Sequence, residues 1–178
     1  MEFTSPVKVP DGRYYLKISG HNRVQLNKIK VDSLVVKPVA FRVTDAQAHQ
    51  LKALEDVVIA KAKELSVEWF GREVSDATID RAFQSSMNGD TFETCLSTIR
   101  GEVATTFWDS ERKPKDKDSD WDAGVDMIVE LSGVWFLKKS FGPIFKILQV
   151  KENKPQRRVT EYLFSDDPVE EDHSDYLD

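Results

Sequence analysis

Alternation of apolar and polar residues predicts β-strands in the first forty residues of the chain. In Arg13–Ser19 every second residue is aromatic or aliphatic, as expected for a strand with one buried face. Two more runs rich in β-branched and aromatic residues follow, Arg23–Ile29 and Ser33–Val43. Residues 20–22 separate the first two runs at the length of a hairpin turn. Pro38 interrupts the third run, which predicts an edge strand or a bulge there.

A change of period to three and four residues predicts a helical insertion near residues 45–87. Thr44 and Gln47 have the spacing of a capping box at the start of a first helix. The apolar stripe of this helix consists of Leu51, Leu54, Val58, Ala62 and Leu65. A second, shorter helix is predicted to begin at Ser75 or Asp76 and to bury Ile79, Ala82 and Phe83.

Strands are predicted to resume after the helices, at Thr94–Ile99 and Val103–Trp108. A charged segment at 111–120 then has the composition of an exposed loop. The last structured unit is predicted to be a β-hairpin with arms at Val125–Phe136 and Ile144–Val150, joined by a loop over 138–143. Gly133 breaks the alternation in the first arm and predicts a bulge or bend.

The order of these elements predicts a mainly β fold of the α+β type. About seven short strands with a two-helix insertion suit a small Greek-key barrel or an OB-like sheet. A β-sandwich is the alternative, since the sequence separates the two poorly. We expect one domain over residues 1–160 and an acidic flexible tail over residues 161–178.

Charge is distributed very unevenly along the chain. Residues 161–178 contain eight carboxylates and no Lys or Arg, whereas 138–158 contain seven cations and the single carboxylate of Glu152. The net charge of −6 therefore combines a body of about +2 (25 basic minus 23 acidic residues) with a tail of −8. A basic, aromatic surface beside an acidic segment favours a protein that binds a polyanion and carries its own polyanion mimic.

Several other classes of function lack their sequence signals. Cys95 is the only cysteine, so an internal disulfide is excluded, no zinc-ligand spacing is found, and a reducing compartment is expected. Phosphate-binding glycine loops, a signal peptide and an apolar stretch of membrane-spanning length are not found. The alternation of Asp116, Asp118 and Asp120 lacks the glycine and the closing glutamate of a calcium loop. We therefore expect no enzyme activity, no cofactor and no membrane association.

The final hairpin is the candidate binding site, because it places aromatic rings among lysines. Single-stranded nucleic acids are bound by rings that stack on bases and by cations that follow the phosphates. An equally ordinary interpretation is that the rings belong to the core and the lysines to a solvated face. Tyr14, Tyr15 and Trp108 are weaker candidates. The predicted nucleic-acid-binding residues are Trp135, Phe141, Phe145, Lys138, Lys139, Lys146, Lys151, Arg157 and Arg158.

The acidic tail also contains apolar and aromatic residues, which a purely solubilising segment does not need. Acidic residues interleaved with aromatic ones can dock in a basic groove or on a partner protein. The predicted partner-binding residues are Tyr162, Phe164, Tyr176 and Leu177.

Three segments resemble small proteins encoded by large DNA viruses, notably algal ones: FTSPVKVPDGRYYLKISG near the start, WFGREVSDATIDRAFQSS in the middle and VELSGVWFLKKSFGPIFKILQV at 129–150. That group in turn resembles phage-type single-stranded-DNA-binding proteins, which combine an OB-fold with an acidic tail that contacts replication proteins. The phage proteins end in an aromatic residue, whereas Asp178 ends this chain and Tyr176 lies two places earlier.

The resemblance implies a non-enzymatic viral protein that binds single-stranded DNA and contacts replication proteins. The alternative is a structural protein of the virus particle, such as a minor capsid or scaffold component, whose hairpin and tail bind other capsid proteins. Either protein would act inside the host cell, in the nucleus or cytoplasm, or in the virion, and would not be secreted. A homo-oligomer is compatible with both.

Overall fold

The computed structural model describes residues 1–155 of the 178-residue chain. The strands are β1 (Glu2–Phe3), β2 (Val7–Lys8), β3 (Tyr14–Ser19), β4 (Arg23–Ile29), β5 (Val39–Arg42), β6 (Met87–Asn88), β7 (Thr91–Leu96), β8 (Thr98–Ile99), β9 (Glu102–Val103), β10 (Thr106–Trp108), β11 (Val125–Phe136) and β12 (Phe141–Glu152). The helices are α1 (Asp45–Glu64), α2 (Ser66–Phe70) and α3 (Asp76–Ala82).

A mixed sheet of ten strands forms the body of the protein, so the predicted mainly β class is confirmed. The long antiparallel hairpin of β11 and β12 lies at its centre, and the main path through the sheet is β1-β3-β11-β12-β7-β5. The strands β2, β4, β6 and β10 pair at the sides of this path, and β8 and β9 form a separate two-stranded sheet. The predicted loop over 138–143 is shorter, because β12 already begins at Phe141.

On one side of the central hairpin, β3 and β4 pair in succession with the same strand. Both run antiparallel to β11, β4 beside its first half and β3 beside its second half. The buried Asn22 joins them, because its carbonyl accepts from the Leu131 N–H and its side-chain amide donates to the Leu131 carbonyl. The prediction that residues 20–22 form a hairpin turn was therefore wrong, since β3 and β4 pair with β11 and not with each other.

The other side of the hairpin repeats this arrangement. Both β7 and β10 run parallel to β12, and the β8–β9 hairpin projects between them. Buried Thr105 donates its hydroxyl to the Ile147 carbonyl at 2.6 Å and accepts from the Ser97 N–H at 2.8 Å. These two bonds fix the position at which the chain returns to β12.

The helical segment between β5 and β6 covers one face of the sheet. The predicted capping box of Thr44 and Gln47 is present at the start of α1. The segment contains three helices rather than two, because α1 is followed at once by the short α2. The rings of Trp69 and Phe70 at the end of α2 pack edge-on against Phe136. The helices therefore mark the core side of the central hairpin.

The sheet is not closed into a barrel. Among residues 1–155, β4 and β5 are not paired with each other, although they lie on two sides of one cleft. The side chain of Gln47, in the first turn of α1, donates to the Asn27 carbonyl at 2.8 Å and bridges part of this gap. Pro38 directly precedes β5, which is an edge strand as predicted.

Candidate nucleic-acid interface

The face of the sheet opposite the helices is here called the open face. It consists of the side chains that alternate with buried core residues along β11, β12 and their neighbours. A bulge between Leu131 and Gly133, at the predicted position, reverses this alternation and turns Trp135 to the open face. The side chains on this face include Tyr15, Lys17, Arg23, Gln25, Trp108, Asp126, Ile128, Glu130, Trp135, Ile144, Lys146, Gln149 and Lys151.

Two aromatic residues on neighbouring strands lie at one end of the open face. Tyr15 on β3 is the direct cross-strand partner of Trp135 on β11, and both are half-buried. Each ring covers a glycine, since a Cβ on Gly133 would lie 2.5 Å from Tyr15 Cε2 and one on Gly142 would lie 2.8 Å from Trp135 Cζ2. Glycines at these two positions therefore let the rings pack onto the backbone.

Charged side chains flank this aromatic pair. Lys17 is exposed opposite Gly133, and Lys146 lies half-buried between Glu130 and Cys95 on the neighbouring strands. Glu130 accepts from Arg23 Nε at 2.8 Å, so these two charges offset one another. The charged groups around the rings are therefore Lys17, Lys146 and the Arg23–Glu130 ion pair.

The phenol and thiol on this face both ionise less readily than usual. Burial raises the pKa of the Tyr15 hydroxyl, and the nearby Glu130 carboxylate raises it further. Burial also raises the pKa of Cys95 despite the opposing effects of Lys146 and Lys37. The thiol, 3.6 Å from the Phe145 carbonyl, is thus held in its neutral form rather than as a nucleophilic thiolate.

A pocket lies at the other end of the open face, roughly 30 Å away along β11 at about 3.3 Å per residue. We call it the Trp108 pocket. Its volume is about 360 Å³, and its walls are the Trp108 ring, the amides of Gln25 and Gln149 and the cations of Arg112 and Lys151. An aromatic wall beside amide and guanidinium donors is suited to a planar ligand with polar edges.

Asp126 supplies the negative charge of the Trp108 pocket and is held by several donors. It accepts from the Lys28 N–H at 3.0 Å and from Asn153 Nδ2 at 2.7 Å, and it lies 3.3 Å from Lys151 Nζ. Burial by itself would raise the pKa of Asp126, but these hydrogen bonds together lower it. The carboxylate is therefore ionised at neutral pH and offsets Lys151.

The structure contradicts the predicted exposure of two site residues. Phe141 is 1% exposed and Phe145 is 2% exposed, because both side chains point to the helix-covered face. The rings of Phe70 and Phe83 pack edge-on against Phe141, and Phe92 packs in the same way against Phe145. The prediction that these two phenylalanines stack on bases was wrong, since Phe141 belongs to β12 and not to an exposed loop, and Phe145 lies on the core side of the same strand.

The other predicted residues of the hairpin lie at the surface. Trp135 and Lys146 are half-exposed on the open face, and Lys151 is exposed on the same face. Lys138 and Lys139 are exposed in the turn that links β11 to β12, beyond the Trp135 end. The predicted residues Arg157, Arg158, Tyr162, Phe164, Tyr176 and Leu177 lie outside the described residues.

The open face also carries Tyr15 and Trp108, which were weaker candidates in the sequence, and Lys17, which was not predicted. The alternation in β3 already separated Tyr15 and Lys17 from the buried Leu16 and Ile18. Their place beside Trp135 depends on the pairing of β3 with β11, which no local pattern records. Trp108 reaches the open face through the equally non-local pairing of β10 with β12.

Within residues 1–155, no group of three or more His, Cys, Asp or Glu side chains is arranged to hold a metal ion. No helix in that range has the length and apolar character to cross a membrane.

Fold and surface together define a mainly β protein with helices on one face of its sheet and an aromatic, charged surface on the other. The chain belongs to the family of unknown function DUF5871, whose model matches residues 27–166. No curated protein and no solved structure matches it.

Proposed function

We propose that this protein is a non-enzymatic viral protein that binds single-stranded DNA across its open face. The observation that carries the proposal is the adjacent pair of Tyr15 and Trp135, half-exposed on neighbouring strands of the helix-free face. Surfaces of this kind bind single strands because a base of any identity can stack on an aromatic ring. The viral assignment is supported by the resemblance of three sequence segments.

Phosphate contacts in this proposal come from the cations around the aromatic pair. Lys17 and Lys146 lie beside the rings, and Lys138 and Lys139 extend the positive charge past the end of the hairpin. Lys151 and the Trp108 pocket would contact a strand that continues along β11 and β12. Phe141 and Phe145 have no part in the interface.

The described residues carry no excess of positive charge that could attract DNA at long range. Residues 1–155 contain 23 basic residues (25 minus Arg157 and Arg158) and 23 acidic ones (31 minus the eight of the tail). Affinity must then come from stacking and from a few local contacts. With about four phosphates neutralised, the slope of log K against log salt is near −2.8, so fourfold more salt weakens binding about 50-fold.

The proposed fold is an OB-like, partly open barrel. Support comes from the strand path β4-β11-β12-β7-β5, whose two ends lie on either side of one cleft. OB-folds are partly open five-stranded barrels that bind nucleic acids on the face of their middle strands.

The acidic tail is proposed to compete with DNA for the open face or to dock on replication proteins. Its eight carboxylates match the charge of a nucleic-acid strand, and a tethered competitor acts at high effective concentration. Deletion of residues 161–178 should therefore tighten DNA binding. Unchanged affinity after the deletion would leave partner docking, through Tyr162, Phe164, Tyr176 and Leu177, as the role of the tail.

Fluorescence titration with oligo-dT at low salt tests the proposal. Tyr15→Ala and Trp135→Ala should each weaken binding by about 1–3 kcal/mol, which is the usual cost of one lost base stack. Tyr14→Ala is the matched control, because its exposed ring lies next to Tyr15 in sequence but on the opposite side of β3. Lys17→Ala combined with Lys146→Ala should reduce the salt slope, whereas Arg72→Ala should not.

Absence of oligo-dT binding at low salt, with and without residues 161–178, would exclude the proposal. Equal losses in the Tyr14 and Tyr15 variants would also count against the open face as the binding surface.

The alternative function, a structural protein of the virus particle, is favoured by one observation. The balanced charge of residues 1–155 is more typical of a protein-binding surface than of one that binds a polyanion. Exposed Val7 and Leu137 would then contact other capsid proteins or further copies of this chain. Quantitative mass spectrometry of purified particles separates the two functions, because only a structural component is present in many copies.

A further inference from the structure

A second basic site lies in the gap between the unpaired strands β4 and β5, here called the β4–β5 cleft. Its volume is about 480 Å³, within the range of small-molecule sites. The end of β4 and the segment after it provide one wall, and β5 with the start of β7 provides the other. The polar and charged lining consists of Lys28, Lys30, Asp32, Arg42 and Thr91.

The charge of the lining favours an anion. Three cations face one carboxylate, which gives a charge of +2. Asp90 lies 3.6 Å from Arg42, but both side chains are well exposed, so this ion pair is weak. Three cations lining one small cleft repel one another, and a bound anion relieves that repulsion.

Backbone donors of β5 point into the same gap. The N–H of Val43 donates to the Asp90 carbonyl on the β7 side, and hydrogen bonding alternates along an antiparallel strand. The N–H groups of Ala40 and Arg42 are therefore directed to the open edge, where both residues line the cleft. In agreement, the Ala40 partner Glu93 donates its own N–H to Ser86 instead of to β5.

The small number of free hydrogen-bonding groups along the cleft favours a compact anion over a peptide strand. Within β5, only Ala40 and Arg42 present donors to the cleft, and Pro38 before it has no N–H. Gln47 already occupies the Asn27 carbonyl on the opposite wall. An added strand would thus find too few partners, whereas phosphate oxygens can accept from backbone N–H groups and cations together.

We infer that the β4–β5 cleft binds the phosphate groups of a compact polyanion, with Lys28, Lys30 and Arg42 as its charged contacts. This site is separate from the proposed DNA surface. Its ligand is either a free polyphosphate or nucleotide, or the backbone of a bound nucleic acid, since both present the same phosphate chemistry.

Isothermal titration calorimetry of the full chain with inorganic tripolyphosphate at low salt tests the inference. Lys30→Glu and Arg42→Glu should each weaken binding at least 10-fold, because each replaces an attractive charge by a repulsive one. Arg72→Glu makes the same change of charge at an exposed position outside the cleft and should have little effect. Circular dichroism of each variant verifies that it is folded.

The same variants titrated with oligo-dT identify the source of the phosphate. If Lys30→Glu and Arg42→Glu weaken tripolyphosphate binding alone, the ligand is a free phosphate compound. If they also weaken oligo-dT binding, the cleft holds part of the nucleic-acid backbone. Full-chain protein that fails to bind tripolyphosphate, or an equal loss in the Arg72 variant, overturns the inference.

The two binding measurements distinguish an error in the inferred phosphate site from an error in the DNA proposal. Tyr15→Ala and Trp135→Ala act on the open face and should leave tripolyphosphate binding unchanged. If those two variants lose oligo-dT binding and the wild type does not bind tripolyphosphate, the DNA proposal stands and the phosphate site in the cleft is excluded.

Discussion

The two faces of the β11–β12 hairpin differ completely, although their residues alternate along the same two strands. Phe141 and Phe145 lie under the helices in a cluster of edge-on rings, whereas Trp135 and Lys146 reach the surface. Both faces come from the same basic, aromatic segment, so the overall composition of that segment does not separate them. What separates core from candidate interface is the side of the strand on which each residue lies, and Gly133 reverses that side partway along β11.

The largest expected effect is on the covered face. Phe145→Ala should lower the free energy of unfolding by about 3–5 kcal/mol, since it leaves a cavity beside Phe92 in a tightly packed core. Trp135→Ala removes a larger side chain from the open face but should cost only about 1–2 kcal/mol, because part of the ring is already in water. Urea denaturation monitored by circular dichroism measures both. Similar losses in the two variants would contradict the difference between the faces.

The next largest effect is on stability and tests the bulge at Gly133, where the alternation of the two faces reverses. A Cβ there would lie 2.3 Å from the Leu16 carbonyl oxygen and 2.5 Å from the Tyr15 ring. Gly133→Ala should therefore destabilise the protein by about 1–3 kcal/mol through overpacking. Adding Tyr15→Ala removes the contact with the ring but not the one with the backbone, so recovery should be partial. Full recovery would show that the ring alone requires glycine.

The smallest expected effects are on the pH dependence of stability. They distinguish Glu55, a carboxylate on the covered side of the sheet, from Asp126 on the open face. Glu55 is 3% exposed and accepts from Ser85 Oγ at 2.6 Å and from the Ser86 N–H at 2.8 Å. Burial raises the pKa of Glu55, although these hydrogen bonds oppose it. Its stabilising contribution is therefore fully present below the unfolded pKa of about 4.3 and is lost as the pH rises through the folded value.

Asp126 should behave in the opposite way, because hydrogen bonds lower its pKa in spite of burial. Its contribution is present above the unfolded pKa of about 3.9 and is lost as the pH falls through the folded value. The free energy of unfolding should be measured from pH 3 to 7. Glu55→Gln should remove an increase in stability on acidification, and Asp126→Asn should remove a decrease. Parallel profiles for the two variants would contradict these assignments.

The parts of the fold that depend on neighbouring residues were predictable from the sequence. The capping box at Thr44, the edge position after Pro38 and the bulge at Gly133 each follow from a local preference. The joining of β3 and β4 along β11 was not predictable, because Asn22 is a common turn residue and its role depends on Leu131, far along the chain.

The candidate site was predicted only in part, because the sequence did not indicate where β12 begins. Gly142 and Pro143 are typical of a loop, so Phe141 was expected at the surface, although these residues continue the strand opposite Trp135 and Val134. The side of Trp135 could have been predicted by carrying the alternation through the bulge at Gly133. Its neighbour Tyr15 could not, because that contact depends on strand pairing across the whole sheet.

The way in which β8 and β9 project from the sheet makes them a natural place for engineering. The Ala104 N–H donates to the Ser97 carbonyl at 2.8 Å and closes the base of this hairpin, while Ile99 near its tip is 66% exposed. Changes in length beyond that closure should leave the register of β7 and β10 on β12 unchanged. Residues 99–102 should therefore accept a fluorescent label or a grafted peptide without altering the open face or the β4–β5 cleft.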